Sequence, residues 1–206
     1  MLSRPLALFA CVASLLSPLL ARAAGEWVTL FNGTSLEGWK AAETPDAFSV
    51  VDGTLKVLGK RGHLFYLGQD GKAAWTDFEL EMEVKTSPGA NSGVFIHTGW
   101  QESGWPAKGY ECQVNCSQGD SIKTASLYNV VKVNPAPHAD DEWFTYHISV
   151  QGKRVVTKVN GKVIVDYTEK PEDIKGERKL SSGTVAIQAH DPKSLVHYRN
   201  IRIRSL

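Results

Sequence analysis

The sequence predicts an all-β protein built as a sandwich of two antiparallel sheets. Three observations carry that prediction. Apolar and polar residues alternate with period two along much of the chain, as in Glu79-Leu80-Glu81-Met82-Glu83-Val84-Lys85, where Leu80, Met82 and Val84 share one face and the acids take the other. Asp52-Gly53 and Asn160-Gly161 are two-residue hairpin signals, since a type I′ turn needs positive φ at both central positions. No stretch long enough for a stable helix keeps apolar residues at i, i+3, i+4 and i+7.

In chain order, the first strand is expected at residues 28–31, and strands at 48–51 and 54–58 flank the Asp52-Gly53 turn. A short apolar run follows at 64–67, then the alternating 78–85, the apolar 93–98, the mixed 110–114, and 126–131. Strands at 144–151, 154–159 and 162–167 come next, the last two joined by Asn160-Gly161, and 184–189 and 195–204 complete the set. His147-Ile148-Ser149-Val150 and Val163-Ile164-Val165 alternate as 79–85 does, so several inner faces need partners, and two packed sheets supply them. The connections 101–109 and 134–141, rich in Gly, Pro and Trp, are too polar and irregular for a core, and loops of this kind on a rigid scaffold frame sites.

The ends and the charge narrow the class. Arg4, an apolar stretch from Leu6 to Leu20, and Ala21-Arg22-Ala23 have the charged, apolar, small-residue order of a secretory signal peptide. Residues 1–24 are therefore read as a signal and 25–206 as a single domain, secreted or periplasmic. Ser14, Ser17 and Pro18 interrupt the apolar stretch, so no membrane span is expected there. The 206-residue chain has a net charge of +1; without Arg4 and Arg22 the basic residues number 21 against 22 acidic ones. A balance near −1 favours neither nucleic acid nor an anionic membrane as partner, and fits a neutral or weakly charged ligand. Cys112 and Cys116 are the only cysteines after residue 24. In an extended strand their Cα atoms would lie ~13 Å apart at about 3.3 Å per residue, too far to bridge, so a disulfide requires a turn at Asn115 and two thiols are the alternative.

Strand parity then sorts the polar residues. Within 110–116, Glu111, Gln113 and Asn115 point one way, and Tyr110, Cys112, Val114 and Cys116 the other. In 184–190, Gln188 and His190 share a face opposite Val185, Ile187 and Ala189. Glu, Gln and His are poor strand formers, and exposed faces elsewhere use Lys, Arg, Thr and Ser. Two strands that each carry such a pair mark a candidate site, against the alternative of a plain solvated face.

Read together, Leu30-Phe31-Asn32-Gly33 with Leu36-Glu37-Gly38-Trp39, Phe78-Glu79-Leu80, Pro88-Gly89-Ala90-Asn91-Ser92-Gly93, Gly109-Tyr110-Glu111 with Gln113, Trp143, Asn160-Gly161, and His190 before Tyr198-Arg199-Asn200-Ile201 resemble a known family. It is the family of 3-keto-glycoside lyases and hydratases, or 3-keto-disaccharide hydrolases, formerly domain of unknown function 1080, and the likeness runs from about Trp27 to Leu206. The resemblance implies a concanavalin-like jelly-roll sandwich, export to the bacterial periplasm, and chemistry on small carbohydrates already oxidised at C3. His97 stands where the family often has Arg, and Asp191 where it often has Gly, which bears on substrate preference more than on fold.

Such chemistry needs a base for the C2 proton, an acid for the leaving group, and donors for an enolate oxygen. Glu111 is the candidate base and His190 the candidate acid. Gln113 and Gln188 are expected to bond sugar hydroxyls or the carbonyl oxygen, with His97, Tyr128 and Asn91 completing a substrate-binding set. Trp100 or Trp105 could stack on a sugar ring. No HExxH, paired CxxC, acidic calcium loop or dinucleotide fingerprint occurs, so no cofactor is expected. A divalent cation shared by His97, Glu111 and His190 stays open. The rival reading is a non-catalytic carbohydrate-binding module on the same architecture.

Overall fold

A computed structural model describes residues 24–206; the expected signal peptide and its cut lie in or at the edge of 1–23, outside the described residues. The thirteen strands are β1 (Val28–Thr29), β2 (Trp39–Ala42), β3 (Phe48–Val51), β4 (Thr54–Val57), β5 (Gly62–Tyr66), β6 (Phe78–Thr86), β7 (Asn91–Thr98), β8 (Tyr110–Asn115), β9 (Phe144–Gln151), β10 (Arg154–Val159), β11 (Lys162–Thr168), β12 (Thr184–Ala189) and β13 (Val196–Ser205). Two 3₁₀ turns, Pro45–Ala47 and Pro171–Asp173, are the only helical segments among the described residues. The expected all-β class therefore stands.

One sheet runs β11-β10-β9-β6-β13-β4-β3, with β1 also paired to β13; the other runs β2-β5-β12-β7-β8. Every pairing is antiparallel. The alternation read from 79–85 puts Leu80, Met82 and Val84 into the core, where they meet Tyr146, Ile148 and Val150 of β9 and Tyr198 and Ile203 of β13. From the second sheet Leu64, Val94, Ile96, Cys112, Val114, Val185 and Ile187 pack down on them. The two sheets make a jelly-roll sandwich whose inner faces are mainly apolar, as sheet-on-sheet burial requires.

Polar links cross that interior: Tyr146 Oη of β9 donates to the Gln113 carbonyl of β8 at 3.4 Å, and a shorter set centres on Ser92. Ser92 Oγ lies 2.6 Å from the Gln188 carbonyl and 2.7 Å from Tyr198 Oη. Because Ser92 donates to the carbonyl, the Tyr198 hydroxyl must donate to Ser92. The bond pins β7 and β12 to the opposite sheet directly beneath the outer face that carries Gln188.

Two strand assignments need correction, and the open question of the cysteines is decided for two thiols. Residues 126–131 do not form a strand: Ala125 and Asn129 have φ of 76° and 59°, which breaks the pleat, and the segment folds into a turn hung from β8 by Tyr128 N–H to the Glu111 carbonyl at 3.0 Å. The strand at 39–42 carries no alternation and was missed. Cys112 and Cys116 are free, because β8 stays extended through Asn115, whose side-chain amide is engaged by the carbonyls of Asp120 (3.2 Å) and Ile122 (3.0 Å). Cys112 lies in the core, and Cys116 is half-buried with its thiol 3.1 Å from the His138 carbonyl.

Candidate active site

The outer face of the five-stranded sheet is not uniformly solvated. Register places Gln188 opposite His63 and, on the other side of β7, Gly93 opposite Gln113; Phe95 lies opposite both Ala186 and Glu111. Phe65, Phe95, Ala186 and Ala42 form a second apolar cluster on this face, separate from the main core. Beside it opens a cavity of about 340 Å³, whose walls include Glu111, Gln113, Gln188, His190, Asn91 and Tyr128, together with Trp105, Asp120, Asn129 and Arg178.

Glycine makes room for the carboxylate. A Cβ on Gly93 would sit 2.3 Å from Glu111 Oε1 and 2.9 Å from its Cγ and Cδ. The Glu111 side chain therefore lies across β7 in the space Gly93 leaves, where Gln188 Nε2 donates to Oε1 at 3.1 Å. Glu111 is half-buried, and loss of water around its carboxyl raises its pKa to about 7; the Gln188 bond and the Arg178 charge oppose this, and Asp120 adds to it.

The amides are held in one orientation. Gln113 Nε2 donates to Asn91 Oδ1 at 3.0 Å. Gln113 Oε1 and Gln188 Oε1 are left buried and without partners, as is His63 Nε2 on the same face. Burial holds the His63 pKa down at about 4, so that ring is neutral. Unpartnered buried acceptors are costly, and two of them on the strands that flank β7 suit a ligand rich in hydroxyl donors.

His190 belongs to a separate network. Its Nδ1 lies 2.8 Å from Asp191 Oδ2, which also accepts from Ser194 Oγ at 2.7 Å, while Lys193 N–H donates to Oδ1 at 2.8 Å. Burial pushes the Asp191 pKa up, but these three bonds together outweigh it and hold the carboxyl below its ordinary value. Asn91 N–H donates to Ser194 Oγ at 2.9 Å, so the two networks meet at Asn91. The Trp105 ring stands 5.9 Å from His190, and Trp105 is one of the cavity walls. Trp100 instead packs on Phe65 at 5.3 Å beneath Lys40 Nζ.

His97 is the exception among the expected site residues. It is fully buried, with Nε2 2.8 Å from the Thr76 carbonyl and Nδ1 accepting from Ser181 N–H at 3.1 Å. Its φ of 52° marks a break in β7 that turns it away from the face bearing Glu111, and its ring packs edge-on against Phe78 of the opposite sheet. It takes no place in the cavity. His97 therefore does not converge with Glu111 and His190, and no group of three His, Cys, Asp or Glu side chains is placed to hold a metal ion among the described residues.

Arg178, Asp120 and Asn129 were missed. They sit in irregular segments where period two gives no face, and nothing in their sequence neighbourhood marks them. Arg178 is carried by a connection between β11 and β12, and its Nη2 donates to the Tyr128 carbonyl.

The chain belongs to the family described as 3-keto-alpha-glucoside-1,2-lyase-like domains, whose pattern matches residues 26–204. Membership makes it a carbohydrate-active protein. It is 34% identical over 76 residues to a 3-keto-disaccharide hydrolase of Bacteroides thetaiotaomicron, a stretch covering 34% of this chain and 26% of that protein. A provisionally named glycosyl hydrolase from Parabacteroides distasonis superimposes with a TM-score of 0.72 at 21% identity, over 88% of this chain and 94% of that one. The carbohydrate-binding module CBM66 from Bacillus subtilis superimposes with a TM-score of 0.58 at 12% identity, over 82% and 96% of the two chains. An enzyme-like protein and a binding module thus share this sandwich, and the fold alone does not separate them.

Proposed function

We propose that the protein cleaves or hydrates 3-keto-glycosides, with Glu111 as the base that removes the C2 proton. A ketone at C3 acidifies that proton. As the C2–H bond breaks, its electron pair forms C2=C3, the C3=O pair moves onto oxygen, and the proton goes to Glu111. Return of the enolate pair restores C3=O, forms C1=C2 and breaks the C1–O bond. The departing oxygen takes a proton from His190. Addition of water across C1=C2 would then give the free 3-keto sugar, a net hydrolysis.

The observation that carries this reading is the state of Glu111: a carboxyl in a small cavity, raised to about 7 by burial, lying over a glycine that leaves it space. A base whose pKa lies near the working pH combines availability with proton affinity. Supporting it, Asp191 holds Nδ1 of His190 at 2.8 Å and so orients the ring beside the cavity. The unpartnered oxygens of Gln113 and Gln188 are acceptors, matched to sugar hydroxyls. A binding module has no use for a destabilised carboxylate, and this favours the enzyme.

Glu111→Gln tests the assignment. The amide keeps the shape but has no lone pair able to take the proton, so a folded variant should lose ~100-fold to ~10,000-fold in turnover of a 3-keto-glucoside. A folded variant near the wild-type rate would remove Glu111 from the role.

A further inference from the structure

We infer that Arg178 is a further catalytic residue, the donor that carries the negative charge developing on the C3 oxygen; this rests on the proposed C2 abstraction. A carboxylate of pKa about 7 cannot remove a proton from carbon unless the resulting oxyanion is strongly stabilised where it forms. The two glutamines are poorly placed for that. Each already commits one amide N–H, Gln113 to Asn91 and Gln188 to Glu111; each keeps only one neutral N–H to offer, and the atom each leaves unpartnered is a carbonyl oxygen, which repels an oxyanion.

Arg178 is the one Lys or Arg side chain lining the cavity. It forms no ion pair among the described residues. Its one recorded hydrogen bond goes to a neutral carbonyl, that of Tyr128, itself a cavity residue. The guanidinium has five N–H donors and keeps its charge at any working pH.

Its position is built rather than incidental. The connection that carries it is fastened at four points. Glu169, its side chain almost wholly buried, accepts from Tyr110 Oη (2.9 Å), Leu180 N–H (2.5 Å) and Lys153 Nζ (2.7 Å). Gly109 N–H donates to the Glu177 carbonyl at 3.2 Å, one residue before Arg178. Lys175 bridges Arg178 along the backbone. Ser181 N–H donates to His97 Nδ1. His97, turned out of the cavity, thus helps hold the segment that brings a cation into it.

The test uses the full chain with a neutral 3-keto-glucoside and three variants. Arg178→Met should lower kcat about 100-fold to 1,000-fold, the usual cost of one oxyanion donor, with KM within about 3-fold of wild type. Arg178→Lys should keep part of the rate. Because Arg178→Met removes the Tyr128 contact as well, Arg178→Ala assayed with added guanidinium gives a readout that a purely structural role would not move: guanidinium should restore kcat in part. A kcat for Arg178→Met within about 3-fold of wild type, absence of any guanidinium rescue, or a defect confined to KM or to substrates bearing a carboxylate would overturn the inference. With wild type active, these outcomes leave the Glu111 reading standing; a wild type inactive on 3-keto-glucosides would fell both.

Discussion

At the scale of the residue, Glu111 and Gly93 act as one unit. Gly93→Ala should barely change stability, since alanine is no worse than glycine in a strand and the clash is with the movable end of a side chain. It should nonetheless lower turnover by ~100-fold or more, because the carboxyl must leave its place, and kinetics beside thermal unfolding would separate the two effects. Glu111 also has a pH signature. Its folded-state pKa, about 7, is above the ordinary 4.5, so the native state holds a proton the unfolded chain releases earlier, and stability falls as pH rises through that window. Relative to wild type, Glu111→Gln should therefore gain on the order of 1–3 kcal/mol between pH 4.5 and 7, measured by denaturant unfolding at several pH values. A gap that does not change with pH would show that the carboxyl is not held protonated by burial. His190→Asn should slow alkyl 3-keto-glucosides more than aryl ones, since a basic leaving oxygen needs its proton most.

At the scale of the element, β8 and β12 were legible because strand parity is strict. Glu111 and Gln113 share a face, as do Gln188 and His190, whatever the curvature of the sheet, and all four line the cavity. His97 departs from that rule. Counting by twos from Gly93 and Phe95 puts it on the cavity face, and only the positive φ at His97 turns it over. The register of β12 against β7 shifts between Thr184 and Ala186, close to Thr98, and no periodicity announces that break. Two glycines make the turn possible: a Cβ on Gly109 would lie 1.9 Å from the Ile96 carbonyl oxygen, and one on Gly183 2.3 Å from that of Thr98. Gly109→Ala, at φ +79°, should cost at least about 2 kcal/mol, read as a lowered unfolding midpoint. His97→Ala should cost about 1–3 kcal/mol by leaving Ser181 N–H and the Thr76 carbonyl unpaired. It should also weaken turnover indirectly through the segment that carries Arg178. Arg178 could not have been found from sequence, because its place depends on long-range anchors at Glu169, Gly109 and His97 rather than on any local pattern.

At the scale of the molecule, the sandwich divides labour between its two sheets. The eight-stranded sheet meets solvent with a ladder of opposite charges, Arg199 on Glu83, Arg202 on Glu81 and Arg204 on Glu79, so those alternating acids are engaged in ion pairs. The five-stranded sheet is apolar beneath and holds the cavity above, where Gln113 bonds Asn91 and Gln188 bonds Glu111. That asymmetry, rather than the fold, separates a catalytic reading from a binding one. The most direct test is product analysis after incubating the protein with a 3-keto-glucoside and, in parallel, with the same glucoside unoxidised. Release of the aglycone from the 3-keto substrate alone, with a 2-hydroxy-3-keto-glycal or its hydrated 3-keto sugar as co-product, is the expected result; equal or faster cleavage of the unoxidised glucoside, or cleavage of neither, would contradict it.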